Sequence, residues 1–151
     1  MDGDDRRDTM MEQHAQTVQE IYEAFGRGDV AFILEQFQDD VSWDHGIRDT
    51  GLAYLQAGTG LDHVVDFFQV LGSTLRFDVF EPVALCAGGD HVMVAVREKA
   101  ENLETGGTID EDLVAHLWTF GPDGKVASFR HIGDFANHER AAGRREAAAT
   151  A

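Results

Sequence analysis

Two histidines stand in otherwise apolar runs near the C-terminus. His116 lies in Asp112–Phe120 (DLVAHLWTF) and His131 in Val126–Asp134 (VASFRHIGD). A buried polar side chain left without a partner costs about 1–3 kcal/mol, so such histidines are expected to be hydrogen-bonded or used in chemistry. Side chains alternate along a strand, so Val114, His116, Trp118 and Phe120 share one face, and Ala127, Phe129, His131 and Gly133 share another. If both faces are concave, His116 and His131 form one wall of an internal pocket. Glu98 joins them if its strand turns Val94 and Val96 inward, and His45 is expected at the rim, on a short strand with Val41 and Trp43. A histidine beside a carboxylate has a tuned pKa and exchanges protons near neutral pH. This set points to general acid/base catalysis by His131, His116, His45 and Glu98. Trp43, Trp118 and Phe129 supply apolar walls for a flat, hydrophobic organic ligand.

The other histidines, His14, His63, His91 and His138, are expected on helix surfaces, turn edges or the tail. No HxH or HExxH spacing marks a metal site, and no metal or organic cofactor is expected. GxGxxG, Walker, GxSxG and CxxC patterns are all missing, which argues against nucleotide-cofactor and serine-triad chemistry. The single cysteine, Cys86, cannot form a disulfide within the chain and is expected as a small core or face residue.

These side chains need elements to position them. Residues 1–9 are expected as a disordered leader. Val18, Ile21, Tyr22 and Phe25 form a helical stripe over residues 10–25. Gly26-Arg27-Gly28 stops that helix and Asp29 caps a shorter one carrying Val30, Ile33, Leu34 and Phe37. A strand follows over 41–45, then a glycine-rich loop over 46–60. A third helix, 61–71, buries Leu61, Val64, Val65, Phe68 and Leu71. Four strands complete the chain: 75–87, bent near Glu81-Pro82, then 91–102, 112–120 and 126–134, the last pair joined by the turn Gly121-Pro122-Asp123-Gly124. The segment 137–151 lacks an apolar stripe and is expected to be frayed or disordered. Helices segregated from a mostly antiparallel sheet define an α+β domain, here a bent sheet folded over three helices around a cone-shaped cavity. Ala115, Leu117 and Ile132 on the opposite face suggest a homodimer through the outside of the sheet.

With 151 residues, the chain suits one domain. Its net charge of −16, from 12 basic and 28 acidic residues, argues against nucleic acid and anionic membrane as partners. No apolar run approaches the ~18 residues of a membrane span, and the acidic N-terminus has no signal-peptide pattern, so the expected location is cytoplasmic.

The order of motifs from His14 to Phe135 resembles the SnoaL-like branch of the nuclear-transport-factor-2-like superfamily, with its cystatin-like cone. The similar pieces are Phe25-Gly26-Arg27-Gly28-Asp29, Gln38-Asp39-Asp40-Val41-Ser42-Trp43, Gly60 to Phe68, His116 to Phe120, Asp123 to Val126 and Phe129-Arg130-His131. Ketosteroid isomerase, limonene epoxide hydrolase, scytalone dehydratase and the SnoaL polyketide cyclases belong to that superfamily. The resemblance implies that the isomerase's carboxylate base falls on His45 and its hydrogen-bonding acid on His116. Its oxyanion-binding tyrosine falls on Ile21, one residue from Tyr22. The cyclase and hydrolase aspartate falls on His131, and the hydrolase's second aspartate on Glu98. Ile21, Tyr22 and Phe68 would join the substrate-binding walls. The implied activity is isomerase, cyclase or dehydratase chemistry on a small hydrophobic carbonyl compound. A non-catalytic ligand-binding or protein-association module is the alternative.

Overall fold

The computed structural model describes residues 3–143. Helix α1 spans Gly3–Gly26, so residues 3–9, expected as a disordered leader, are its opening turns. It buries His14, Val18, Ile21 and Ala24. Asp29 caps α2 (Val30–Glu35) by accepting a hydrogen bond from the Phe32 N–H at 3.1 Å. Strand β1 (Phe37–Trp43) begins four residues earlier than expected and ends two earlier. Phe37 therefore belongs to the strand and not to the helical stripe. Within the glycine-rich loop, β2 (Gly58–Thr59) pairs antiparallel with β1. Helix α3 (Leu61–Thr74) follows, then β3 (Leu75–Gly88), β4 (His91–Asn102), β5 (Thr108–Phe120) and β6 (Val126–Ile132). A fourth helix, α4 (Phe135–Ala141), is capped by the Asp134 carboxylate on the Ala136 N–H. It occupies part of the segment expected to be frayed, and it buries His138 and Ala141. Residues 144–151 lie outside the described residues.

The six strands form one curled, unclosed sheet in the order β2-β1-β6-β5-β4-β3, antiparallel except for the β1–β6 pair. The bend expected near Pro82 is a register shift between Pro82 and Ala84 on the edge strand β3, where a missing ladder donor is tolerated. β5 contains another irregularity. Val96 pairs with Val114 but Glu98 pairs with Glu111, so β5 carries one extra residue there. Asp112 and Leu113 are both exposed and the parity flips, which lets Glu111 and Val114 both point inward. The helices pack against the concave side, where Val18, Ile33, Phe37, Val41, Trp43, Val64, Val92, Val94 and Val96 are almost fully buried. Cys86 is exposed on the edge strand. No helix among the described residues is long and apolar enough to cross a membrane.

Candidate active site

The cone encloses a cavity of about 80 Å³. Its walls are mainly aromatic and aliphatic, and the sheet pairs His116 directly with His131 on one of them. Their rings stand edge to face with centroids 5.3 Å apart. Ile21, Tyr22, Trp43, Phe68, Glu98, Trp118 and Phe129 also line it. His45 does not. It is exposed, and its Nε2 lies 2.9 Å from the Thr59 hydroxyl.

Asp44 points inward instead. The alternation that would turn His45 inward requires extended backbone through residue 45. β1 ends at Trp43, and Asp44 takes a left-handed conformation with φ 53°. Aspartate is one of the few side chains that tolerate this region. The turn places the Asp44 carboxylate at the cavity, only 1% exposed, where its Oδ1 accepts the His131 backbone N–H at 2.6 Å. Its own N–H donates to the Phe129 carbonyl. Burial pushes its carboxyl up to about 6, against the opposing pull of the His131 N–H and the Arg130 charge.

Tyr22, from α1, holds two groups of β5. The Trp118 Nε1–H donates to the Tyr22 hydroxyl at 3.1 Å, and the same oxygen is 2.6 Å from His116 Nδ1. An indole only donates, so the phenolic proton is available to His116 Nδ1, and with that bond made the imidazole proton sits on Nε2. Burial lowers His116 to about 4 and holds the Tyr22 phenol well above its ordinary range, so both are neutral at physiological pH. Burial likewise lowers His131 well below the ordinary histidine range, with His116 and His138 adding to the effect. Its Nε2 is buried without a hydrogen-bond partner.

Two histidines expected at the surface are buried. His14 stacks on Phe120 with ring centroids 4.1 Å apart. His138 is 3% exposed at the end of the cavity formed by α4, with Nδ1 2.9 Å from the Tyr54 hydroxyl. Its Nε2 faces Glu111 Oε1 at 3.4 Å and Glu98 Oε1 at 3.8 Å. Burial raises Glu98 to about 7, His138 pulling it down and Glu111 pushing it up. His63 and His91 make local contacts with the Gln56 carbonyl and the Thr119 hydroxyl.

Solved structures share this architecture. An NTF2-like protein of unknown function from Burkholderia pseudomallei K96243 is 26% identical over 85% of this chain and 96% of its own, with TM-score 0.73. An NTF2-like protein from Burkholderia xenovorans LB400 is 23% identical over 87% and 96%, with TM-score 0.75. SalBIII, an epoxide hydrolase/cyclase-like enzyme with a role in pyran ring formation in the polyether salinomycin, is 20% identical over 83% and 94%, with TM-score 0.66. No curated protein matches the chain. The family profile of the SnoaL-like domain matches residues 18–129, from the buried stripe of α1 to the aromatic wall of β6. With its curled sheet and helix-filled concave side, this chain belongs to the SnoaL-like family, within the NTF2-like superfamily.

Proposed function

We propose that this protein catalyses a proton transfer on a small hydrophobic carbonyl compound, with Asp44 as the base. The observation that carries the reading is a carboxylate, buried and held near 6, that lines the same apolar cavity as two neutral imidazoles. Above about pH 6 Asp44 is ionised and desolvated, and a general base works best with a pKa near the working pH. It takes the proton from the carbon next to the carbonyl; the C–H pair becomes the new carbon–carbon double bond and the carbonyl oxygen takes the negative charge. His116 donates its Nε2–H to that oxygen, and Tyr22 fixes the tautomer that makes it a donor. Return of the proton to another carbon completes an isomerisation. Trp43 and Phe129, stacked with centroids 4.3 Å apart, provide a flat wall. Existence of an epoxide hydrolase/cyclase-like enzyme with this fold supports the acid/base class.

The test is exchange of α-protons for deuterium in small cyclic ketones and 1,3-dicarbonyls. The expected result is exchange that increases with pH through about 6 and then levels, as Asp44 ionises. Binding without exchange would overturn catalysis in favour of a binding module, and neither binding nor exchange would overturn the substrate class.

We also propose that two copies pair through the convex face of the sheet. Met93 and Ile132 are 41% and 45% exposed there, and the cross-strand neighbours Met93–Leu117 and Ala95–Ala115–Ile132 make an apolar strip. The charge of −16 on each chain opposes association at low salt. Sedimentation at physiological ionic strength is expected to give a dimer, and a monomer there would refute it.

A further inference from the structure

We propose that Glu98, Glu111 and His138 form a binding site for a divalent transition-metal ion at the α4 end of the cavity. One atom from each lies within 4.8 Å of the others, and the three side chains are buried. Sequence spacing could not reveal the group, because it comes from β4, β5 and α4.

The second observation is that Glu111 and the facing nitrogen of His138 lack hydrogen bonds. Both carboxylate oxygens of Glu111 and Nε2 of His138 are buried without a hydrogen-bond partner, in residues only 6% and 3% exposed. Buried polar groups are almost always paired, and two carboxylates facing each other repel. The His138 ring is fixed from behind by Tyr54. When the Nδ1–H donates to the Tyr54 oxygen, release of the Nε2 proton on ion binding leaves a lone pair aimed at the two carboxylates. Three electron-rich groups then converge on one point, which a cation would satisfy. A histidine anchored through its other nitrogen is the usual arrangement of a metal ligand.

The spacing fits. Ligands held at about 2.0–2.2 Å in a tetrahedral arrangement stand roughly 3.3–3.6 Å apart. His138 Nε2 is 3.4 Å from Glu111 Oε1 and 3.8 Å from Glu98 Oε1. One imidazole and two carboxylates suit Zn²⁺, Mn²⁺ or Fe²⁺. Glu98 and His138 line the cavity, so the ion's open position would face it. Gly133, which is exposed, runs close beside the group. A Cβ there would stand 3.5 Å from Glu111 Oε2 and 3.7 Å from His131 Nε2, and 3.1 Å from a Val114 methyl. The site is independent of the Asp44 reading, because its test reads binding and not turnover.

The experiment is calorimetric titration of the chelator-stripped full chain with zinc chloride, repeated with manganese chloride. One ion per chain is expected. Glu111→Gln keeps the volume and should weaken binding by at least about 100-fold, while Tyr54→Phe, which frees the His138 ring, should weaken it by about 10–100-fold. His91→Gln, at an exposed histidine, should leave it unchanged. If Glu111→Gln unfolds, as thermal melting would show, Glu98→Gln replaces it. No binding to the stripped chain, or equal affinity in Glu111→Gln or its replacement, would overturn the site.

Discussion

Asp44→Asn is expected to slow α-proton exchange by about 10²–10⁴ and, at neutral pH, to make the fold more stable. The first effect follows from losing the base. The second follows from where that base is kept. An ordinary aspartate titrates at 3.8, and burial raises Asp44 to about 6. At low pH the folded and unfolded chains both carry the proton, and the group adds no pH dependence. Between about 4 and about 6 the folded chain keeps the proton that the unfolded chain has lost, so stability falls as pH rises. Above that window the folded chain holds a buried charge, and the penalty is complete at about 3 kcal/mol. Asparagine carries no charge, retains an oxygen to accept the His131 N–H, and tolerates the left-handed backbone at φ 53°. Its amide brings one new buried donor group, so a net gain of about 1–3 kcal/mol is expected near pH 8, shrinking toward zero near pH 4. Urea unfolding of both proteins across this range measures it. Equal stability differences at both ends would show that the carboxylate is not held under strain.

Asp44 also marks where the sequence stops being informative. Strand parity depends on continuous extended backbone. It is sound in β5 and β6, where the sheet aligns His116 with His131. It fails at the end of β1, because one left-handed residue exchanges the inward roles of His45 and Asp44. Alternation is silent about such a turn; the identity of Asp44 permits it but does not demand it. Glu111 was hidden for a related reason. The extra residue of β5 flips parity at Asp112-Leu113, so a pattern read back from His116 places Glu111 on the outer face. His138 was missed because α4 is too short to show an apolar stripe. Asp134 followed by Phe135 is nevertheless a helix-start signal, and the helix it caps carries His138 into the cavity. The α+β cone was legible because it rests on long elements: the stripe of α1, the third helix, and four strands whose apolar residues repeat every second position.

Tyr22→Phe is expected to cost about 2–4 kcal/mol, more than the loss of a single exposed hydroxyl, because that oxygen serves two buried partners. It accepts from the Trp118 indole at 3.1 Å and lies 2.6 Å from His116 Nδ1. Phenylalanine fills the same space, so packing against Phe80, His116 and Trp118 is retained and no cavity opens. What remains are an indole N–H and an imidazole nitrogen, each buried and unpaired, at about 1–3 kcal/mol apiece. Neither can turn to water while its ring stays packed: Trp118 is 3% exposed and His116 7%. Trp118→Phe in the same background removes one of the two orphans. The double variant should therefore be less destabilised than the sum of the singles, by about 1–2 kcal/mol of coupling. Urea unfolding of the wild type, both singles and the double closes the cycle. Strict additivity would mean that the Trp118–Tyr22 hydrogen bond contributes nothing, and the tautomer assigned to His116 would lose its support. The exchange reaction provides a second reading of the same link. With Tyr22 gone, His116 is free to move its proton to Nδ1, so exchange should slow while the pH at which it levels, set by Asp44, stays near 6.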